Sequence, residues 1–122
     1  MRFIYQLFVS DINKAKKWYR DKLGAKIIAN YPKYKCSLIS LGGMQIDMGK
    51  PIANWGLNWK DAKKLIGKQM GILLEVKDVE RDYERLRKKG VKFLFRPKKT
   101  SWGEVVADFK DMDGNVLRLV GD

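Results

Sequence analysis

The chain has 122 residues, of which 45% are hydrophobic and 33% are charged. This length suits one domain with its own core, and the composition excludes the disordered class. A formal net charge of +12 favours encounter with anionic partners at long range, but charge alone does not define a binding site.

The apolar N-terminal stretch ends at Asp11, too early for the hydrophobic core of a signal peptide, and no apolar run reaches the roughly 18 residues of a membrane span. We therefore expect a cytoplasmic protein without a membrane partner. Cys36 is the one cysteine and cannot form an internal disulfide, which suits a reducing compartment. Because the chain contains no histidine, Cys36 is interpreted as an inert thiol and not as a nucleophile.

The first half of the chain predicts a strand over residues 3–9, followed directly by a helix. Asp11 suits the N-cap of this helix, and Gly24 suits a left-handed C-terminal cap. Between them, apolar residues recur at helical spacing, at Ile12, Ala15, Tyr19 and Leu23. Turn residues then separate three predicted strands, at about 26–31, 34–41 and 44–48.

The second half repeats this plan after a connector at 51–68, in which a short helix is predicted near 61–66. A strand is expected over 70–76, and Asp78 caps a helix that ends at Gly90. Three strands follow, at about 91–95, 104–109 and 116–120. The sequence therefore predicts one α+β domain of two tandem βαβββ modules, with module 1 at about 1–50 and module 2 at about 69–122.

Four short motifs in this order resemble the vicinal oxygen chelate superfamily, which includes glyoxalases, extradiol dioxygenases and metal-free bleomycin resistance proteins. They are Phe8-Val9-Ser10-Asp11, Trp18-Tyr19-Arg20-Asp21-Lys22-Leu23-Gly24, Leu74-Glu75-Val76-Lys77-Asp78-Val79 and Phe109-Lys110-Asp111-Met112-Asp113-Gly114-Asn115. The resemblance covers essentially the whole chain. It implies a half-open mixed β barrel with a central cleft, and it implies a homodimer.

In metal-using members of this superfamily, four pocket-facing positions supply histidine and carboxylate ligands. Aligning the motifs places these positions at Ile4, Asp47, Gly71 and Arg118. Only Asp47 offers a metal donor, and Arg118 puts a permanent cation where the ion would lie. We therefore expect no metal and no cofactor, and Asp47 and Arg118 are candidates to pair with each other or to bind a ligand.

Strand alternation extends the predicted pocket wall, because residues two apart share a face. The further candidates on these faces are Gln6, Phe8, Gln45, Glu75, Glu104 and Asp108, and the same alternation puts Leu73 on the face of Gly71 and Glu75. Trp55, Trp59 and Trp102 lie in connectors, where a ring can stack on a planar ligand or pack on the rim.

The leading hypothesis is a metal-independent small-molecule-binding protein that sequesters a drug or metabolite. One alternative is a glyoxalase- or dioxygenase-like metalloenzyme with an atypical site built from Asp47, Glu75, Glu104 and Asp108. The other is a basic interaction module for nucleic acid or an acidic protein. Acidic residues interleave with the basic ones on the second helix, which favours a solvated face over a nucleic-acid site.

Overall fold

A computed structural model describes residues 1–53 and 59–122. The chain divides into two compact units, Met1–Gln69 and Met70–Asp122. The predicted α+β class and the βαβββ plan are confirmed, since each unit contains a strand, a helix and a meander of further strands in this order. No helix among the described residues is both long and apolar enough to cross a membrane.

The first unit builds a four-stranded sheet in the order β1-β4-β3-β2. Its strands are β1 (Ile4–Phe8), β2 (Lys26–Tyr31), β3 (Cys36–Leu41) and β4 (Met44–Gly49). Its helices are α1 (Ile12–Leu23) and the short α2 (Trp59–Lys64), and a 3-10 turn spans Pro32–Tyr34. β1 and β4 run parallel, whereas β3 is antiparallel to both of its neighbours.

Helix α1 begins and ends where the sequence predicts. The Asp11 carboxylate accepts a hydrogen bond from the Lys14 N–H at 3.0 Å, and Gly24 adopts a left-handed conformation with φ of 74°. Tyr19 is fully buried on the face that α1 presents to the sheet. The sheet residues on this side, such as Ile39 and Ile46, are equally buried. The opposite face of the sheet carries the candidate site residues of this unit.

The second unit builds a sheet in the order β5-β9-β8-β6, with β7 also paired to β8. Its elements are β5 (Met70–Val76), α3 (Val79–Lys88), β6 (Lys92–Phe93), β7 (Lys98–Lys99), β8 (Val105–Lys110) and β9 (Val116–Gly121). Asp78 caps α3 as predicted, accepting a hydrogen bond from the Arg81 N–H at 3.0 Å. β5 is parallel to β9, and β8 is antiparallel to β6, β7 and β9.

The predicted strand at 91–95 was wrong in its extent. The structure replaces it with two short strands, β6 and β7, on either side of Arg96 and Pro97. Proline has no N–H to donate to a sheet ladder and fixes its own φ, which accounts for the break between β6 and β7 at position 97. Phe93 still reaches the core, where its ring packs against those of Tyr83 and Phe109. The distances between ring centroids are 4.6 Å to Tyr83 and 5.2 Å to Phe109.

Candidate functional site

Arg118 and Asp108 form the most strongly connected polar pair among the candidate residues. They face each other directly across β9 and β8. The guanidinium donates from Nε to Asp108 Oδ1 at 2.7 Å and from Nη2 to Oδ2 at 3.1 Å, which is a bidentate arrangement. This hydrogen bonding raises the pKa of Arg118 and outweighs the burial that would lower it. The guanidinium of Arg118 therefore stays charged at all physiological pH values.

This pair lies on the edge of a hollow of about 220 Å³ within the second unit. The wall is mostly apolar, with Met70, Leu73 and Val116 among the lining residues. Gly71 also lines it, with φ of 118°, and a Cβ built there would meet no atom within 4 Å. Ligand pockets for drug-sized molecules measure roughly 300–1,000 Å³. The hollow is thus the right size for one ring or one end of a larger molecule.

The sequence placed Gly71, Leu73 and Glu75 on one face by strict alternation, and the structure changes this at Gly71. The β5–β9 ladder shifts between Met70 and Ile72, so Gly71 stands in a bulge. As a consequence Met70 shares the face of Leu73 and Arg118, although it is three residues from Leu73. Leu73 is 60% exposed and Met70 is 69% exposed, so this apolar surface is open.

Glu104 and Trp102 are brought together at the turn between β7 and β8. The indole Nε1 of Trp102 donates to Glu104 Oε1 at 2.9 Å. Glu104 lies one residue before β8 and not within it, and Trp102 is 66% exposed. Glu75 shares the face of Arg118 through its pairing with Val120, and it is exposed. We refer to Met70, Leu73, Glu75, Asp108 and Arg118 as the second open face.

In the first unit, Asp47 lies at the centre of the face turned away from α1. It pairs with Gln6 on β1 and with Leu38 on β3, so these three side chains form one row across the sheet. The neighbouring rows place Gln45 beside Ile4, and Phe8 in line with Gly49 and Cys36. We refer to Gln6, Phe8, Cys36, Leu38, Gln45 and Asp47 as the first open face.

Burial perturbs the ionisable groups of the first open face. Desolvation raises the pKa of the Asp47 carboxyl above its ordinary 3.8. The pKa of the Cys36 thiol is also raised, first by burial and then by the negative charge of Asp47. The thiol is therefore protonated at neutral pH.

Arg118 forms its ion pair with Asp108, whereas the sequence offered pairing with Asp47 as one of two possibilities. Strand alternation along β8 already placed Asp108 on the inner face. The register between β8 and β9 decides that it lies opposite Arg118. Trp59 begins α2 and is partly buried, with Lys60 Nζ over its ring at 5.9 Å from the centroid. Trp55 lies outside the described residues.

Three residues of the open faces were missing from the sequence-based candidates. Leu38 and Cys36 share their face with Asp47, but Ile39 is equally apolar, so hydrophobicity along β3 does not reveal which side is open. Met70 joins the second open face only because of the bulge at Gly71. A glycine near the start of a strand is the one signal that could have indicated this shift.

The residues at the four family metal positions do not fit a metal ion. Ile4 offers only hydrocarbon and Gly71 has no side chain. Arg118 is positively charged and forms an ion pair with Asp108. The carboxylate of Asp108 is in turn engaged by two guanidinium N–H groups. Among residues 1–53 and 59–122 there is no group of three or more His, Cys, Asp or Glu side chains that could share a metal ion.

The family model described as Glyoxalase/Bleomycin resistance protein/Dioxygenase superfamily matches residues 4–119. The chain belongs to this superfamily. The match extends from β1 to β9 and so includes both βαβββ repeats of the glyoxalase fold. Members of this superfamily share the scaffold and differ in their sites, so the family leaves the activity open.

The proteins to which this chain is similar include a binding protein. The Bacillus subtilis (strain 168) protein YetH, described as uncharacterized, is 31% identical over 114 residues, covering 93% of this chain and 91% of its own. TnmS3, an antibiotic binding protein from Streptomyces sp. CB03234, is 29% identical with a TM-score of 0.73, covering 95% of this chain and 90% of its own. UcmS2 has a TM-score of 0.81 at 24% identity over 100% of both chains, which shows the fold alone.

Proposed function

We propose that this protein binds a small organic molecule without the help of a metal ion and thereby sequesters it. The observation that carries the proposal is the 220 Å³ hollow beside Gly71, where Arg118 is held by Asp108 and the remaining wall is mostly apolar. Apolar walls with a few fixed polar groups are the usual construction of a small-molecule site. The antibiotic-binding function of TnmS3 supports the same class of ligand.

The paired state of Arg118 shapes what the second open face can recognise. A guanidinium has five N–H donors, and two of them are directed at Asp108. The carboxylate cancels most of the positive charge, but N–H groups remain for a ligand carbonyl or hydroxyl. A neutral acceptor on a small ring, packed between Leu73 and Met70, is the group that suits this hollow.

The proposal is tested by a thermal-shift screen of drug-like and metabolite compounds on protein treated with a chelator. We expect at least one organic compound to stabilise the metal-free protein, by about 2.7 kcal/mol at 100 times its dissociation constant. The double variant Asp108→Asn/Arg118→Gln should lose this stabilisation while keeping its fold, because both charges are removed together and neither is left unpaired.

The control is Arg87→Gln on α3, where the guanidinium pairs with Glu84 at the surface. This variant should respond to ligands as the wild type does. A screen in which only divalent ions stabilise the protein would contradict the proposal. So would stoichiometric nickel, zinc, iron or manganese in protein purified without chelators, which would favour a metalloenzyme.

We further propose that the protein is a cytoplasmic homodimer. Analytical sedimentation tests its oligomeric state, and cell fractionation tests its location.

A further inference from the structure

The first open face presents two hydrogen-bond acceptors that the described residues leave unused. Gln45 and Asp47 lie two residues apart on β4, so their side chains project from the same side of the sheet. The rows of the ladder place Gln6 next to Asp47, and Ile4 and Ser40 on either side of Gln45. Both acceptors therefore lie in the interior of the face, away from the outer strand β2.

The carbonyl oxygen of Gln45 is buried and has no hydrogen-bond partner among the described residues. It is the one such side-chain atom in that part of the chain. Buried polar groups in folded proteins are nearly always satisfied, so each exception needs an explanation. A ligand that donates to this oxygen would supply the missing partner.

Asp47 is the second unused acceptor. No Lys or Arg of the described residues forms an ion pair with it, although the chain has 26 basic residues against 14 acidic ones. No described N–H or O–H donates a hydrogen bond to its carboxylate. Burial without a partner is unfavourable for a carboxylate, and the raised pKa of Asp47 reflects this. Although the protein has surplus cations, none of those in residues 1–53 and 59–122 pairs with this carboxylate.

We propose that the first open face recognises a protonated amine of the ligand, with Asp47 as the counter-ion and the Gln45 carbonyl as a second acceptor. This inference rests on the proposed small-molecule-binding function and adds the chemical class of the ligand. An ammonium carries three donors and no acceptor, so it matches a face that offers acceptors. Leu38, Ile4 and Phe8 flank the two acceptors and suit the hydrocarbon next to the amine.

The charged groups around this face are consistent with a cationic ligand. Lys26 lies in the row of Gln45, but on the outer strand β2 with β3 between. Cys36 is neutral at physiological pH because burial and Asp47 raise its pKa. Asp47 is thus the unpaired charge at the centre of its face.

The test compares matched compounds by isothermal titration with metal-free protein. Each set contains an arylalkyl amine, its N-acetyl derivative and the corresponding carboxylate, for example tryptamine, N-acetyltryptamine and 3-indolepropionate. The amine should bind at least about tenfold more tightly than the other two, a ratio equivalent to about 1.4 kcal/mol. In Asp47→Asn this preference should fall to about twofold or less, because the variant keeps an acceptor but loses the charge.

Two further variants separate the roles. Gln45→Met removes the buried carbonyl with little change in volume, and it should weaken amine binding without abolishing the preference over the carboxylate. Asp61→Asn is the matched control, because Asp61 lies on α2 with a side chain that is 76% exposed. It removes the same charge from the same unit and should leave all affinities unchanged. Thermal denaturation of each variant confirms that it is folded.

The outcomes distinguish the two proposals. Equal binding of amines and their N-acetyl derivatives, or an unchanged preference in Asp47→Asn, overturns the amine inference while binding itself stands. A ligand from the wider screen that is anionic, or that binds Asp47→Asn as well as the wild type, also overturns it. If neither the matched sets nor the wider screen yields a binding compound, the proposed function fails as well.

Discussion

Asp47 illustrates how a single residue can be unfavourable for stability and useful for binding. Its carboxyl group is partly desolvated, which raises its pKa, and no described partner compensates for this burial. Functional residues often carry such a penalty, because a site optimised for a ligand is incomplete without it. Asp47 differs in this respect from the acidic residues that form ion pairs in the described part of the chain, most of which lie on exposed surfaces.

We expect Asp47→Asn to be more stable than the wild type at pH 7 in the absence of ligand. Burial raises the folded-state pKa above the unfolded value of 3.8, so the folded protein binds the proton more readily than the unfolded chain does. Stability from this group is therefore present at low pH and lost as the pH rises through the folded pKa. The gain in the variant should be less than about 1 kcal/mol, because solvent screens a partly exposed group.

Urea unfolding of both proteins between about pH 3 and pH 7 measures this difference. The two curves of unfolding free energy should converge at low pH, where Asp47 is protonated in both states. Taking the difference between the proteins cancels the titration of the other carboxylates. The negative charge of Asp47 helps to raise the pKa of the Cys36 thiol. This thiol should therefore become more reactive at mildly alkaline pH in the variant, where that charge is removed. A variant that is less stable than the wild type at pH 7 contradicts this account.

At the scale of elements, helices α1 and α3 show how local sequence patterns determine local structure. Asp11 and Asp78 each accept a hydrogen bond from an N–H three residues later, as their positions in the sequence predict. The edge of β1 depends instead on a residue that local patterns do not reveal. The Gln69 side-chain amide accepts from the Phe8 N–H at 2.7 Å and donates to the Gln6 carbonyl at 2.8 Å. A distant side chain thus continues the β1 ladder.

The close approach of β9 and β5 at Gly121 gives a prediction at this scale. A Cβ at position 121 would overlap the backbone carbonyl of Val76, which pairs with Gly121 across the ladder. Backbone cannot move aside as a flexible side chain can, so Gly121→Ala should destabilise the protein by about 2 kcal/mol or more. Chemical denaturation measures the change in unfolding free energy.

Gly49→Ala is the control for this substitution, because Gly49 also ends a central strand of its sheet. A Cβ there would meet only Cys36 Cβ at 3.8 Å, which is an ordinary contact. Its unfolding free energy should change by no more than about 0.5 kcal/mol. Equal effects at the two glycines would show that the approach of β5 to β9 does not restrict position 121.

At the scale of the whole molecule, the net charge of +12 raises the question of nucleic-acid binding. Several arginines on the helices are paired with neighbouring acids: Arg20 with Asp21, Arg85 with Asp82, and Arg87 with Glu84. Such exposed pairs contribute little to stability, but they reduce the positive potential of the helix surfaces. We therefore do not expect an organised phosphate-binding surface there.

Binding to a short DNA duplex should accordingly be non-specific, with a dissociation constant on the order of 10⁻⁴ M or weaker at about 150 mM salt. Fluorescence anisotropy with increasing salt measures it. Submicromolar binding that persists at physiological salt, and that falls when Lys16, Lys17 and Lys22 are replaced by glutamine, would revive the nucleic-acid alternative. At such salt the Debye length is about 8 Å, so the net charge also does little to repel a small cationic ligand from Asp47.

The sequence by itself determined the order of elements, the helix caps and the faces of most strands, since these depend on residues two to four positions apart. Asp108 was assigned to the inner face of its strand for this reason, whereas the resemblance to the superfamily placed Arg118. Only the tertiary structure decided that Asp108 and not Asp47 is the partner of Arg118, and that Gly71 interrupts its ladder. Both depend on the register between paired strands, which is set by packing across the sheet and which, for β5 and β9, joins segments far apart in the chain.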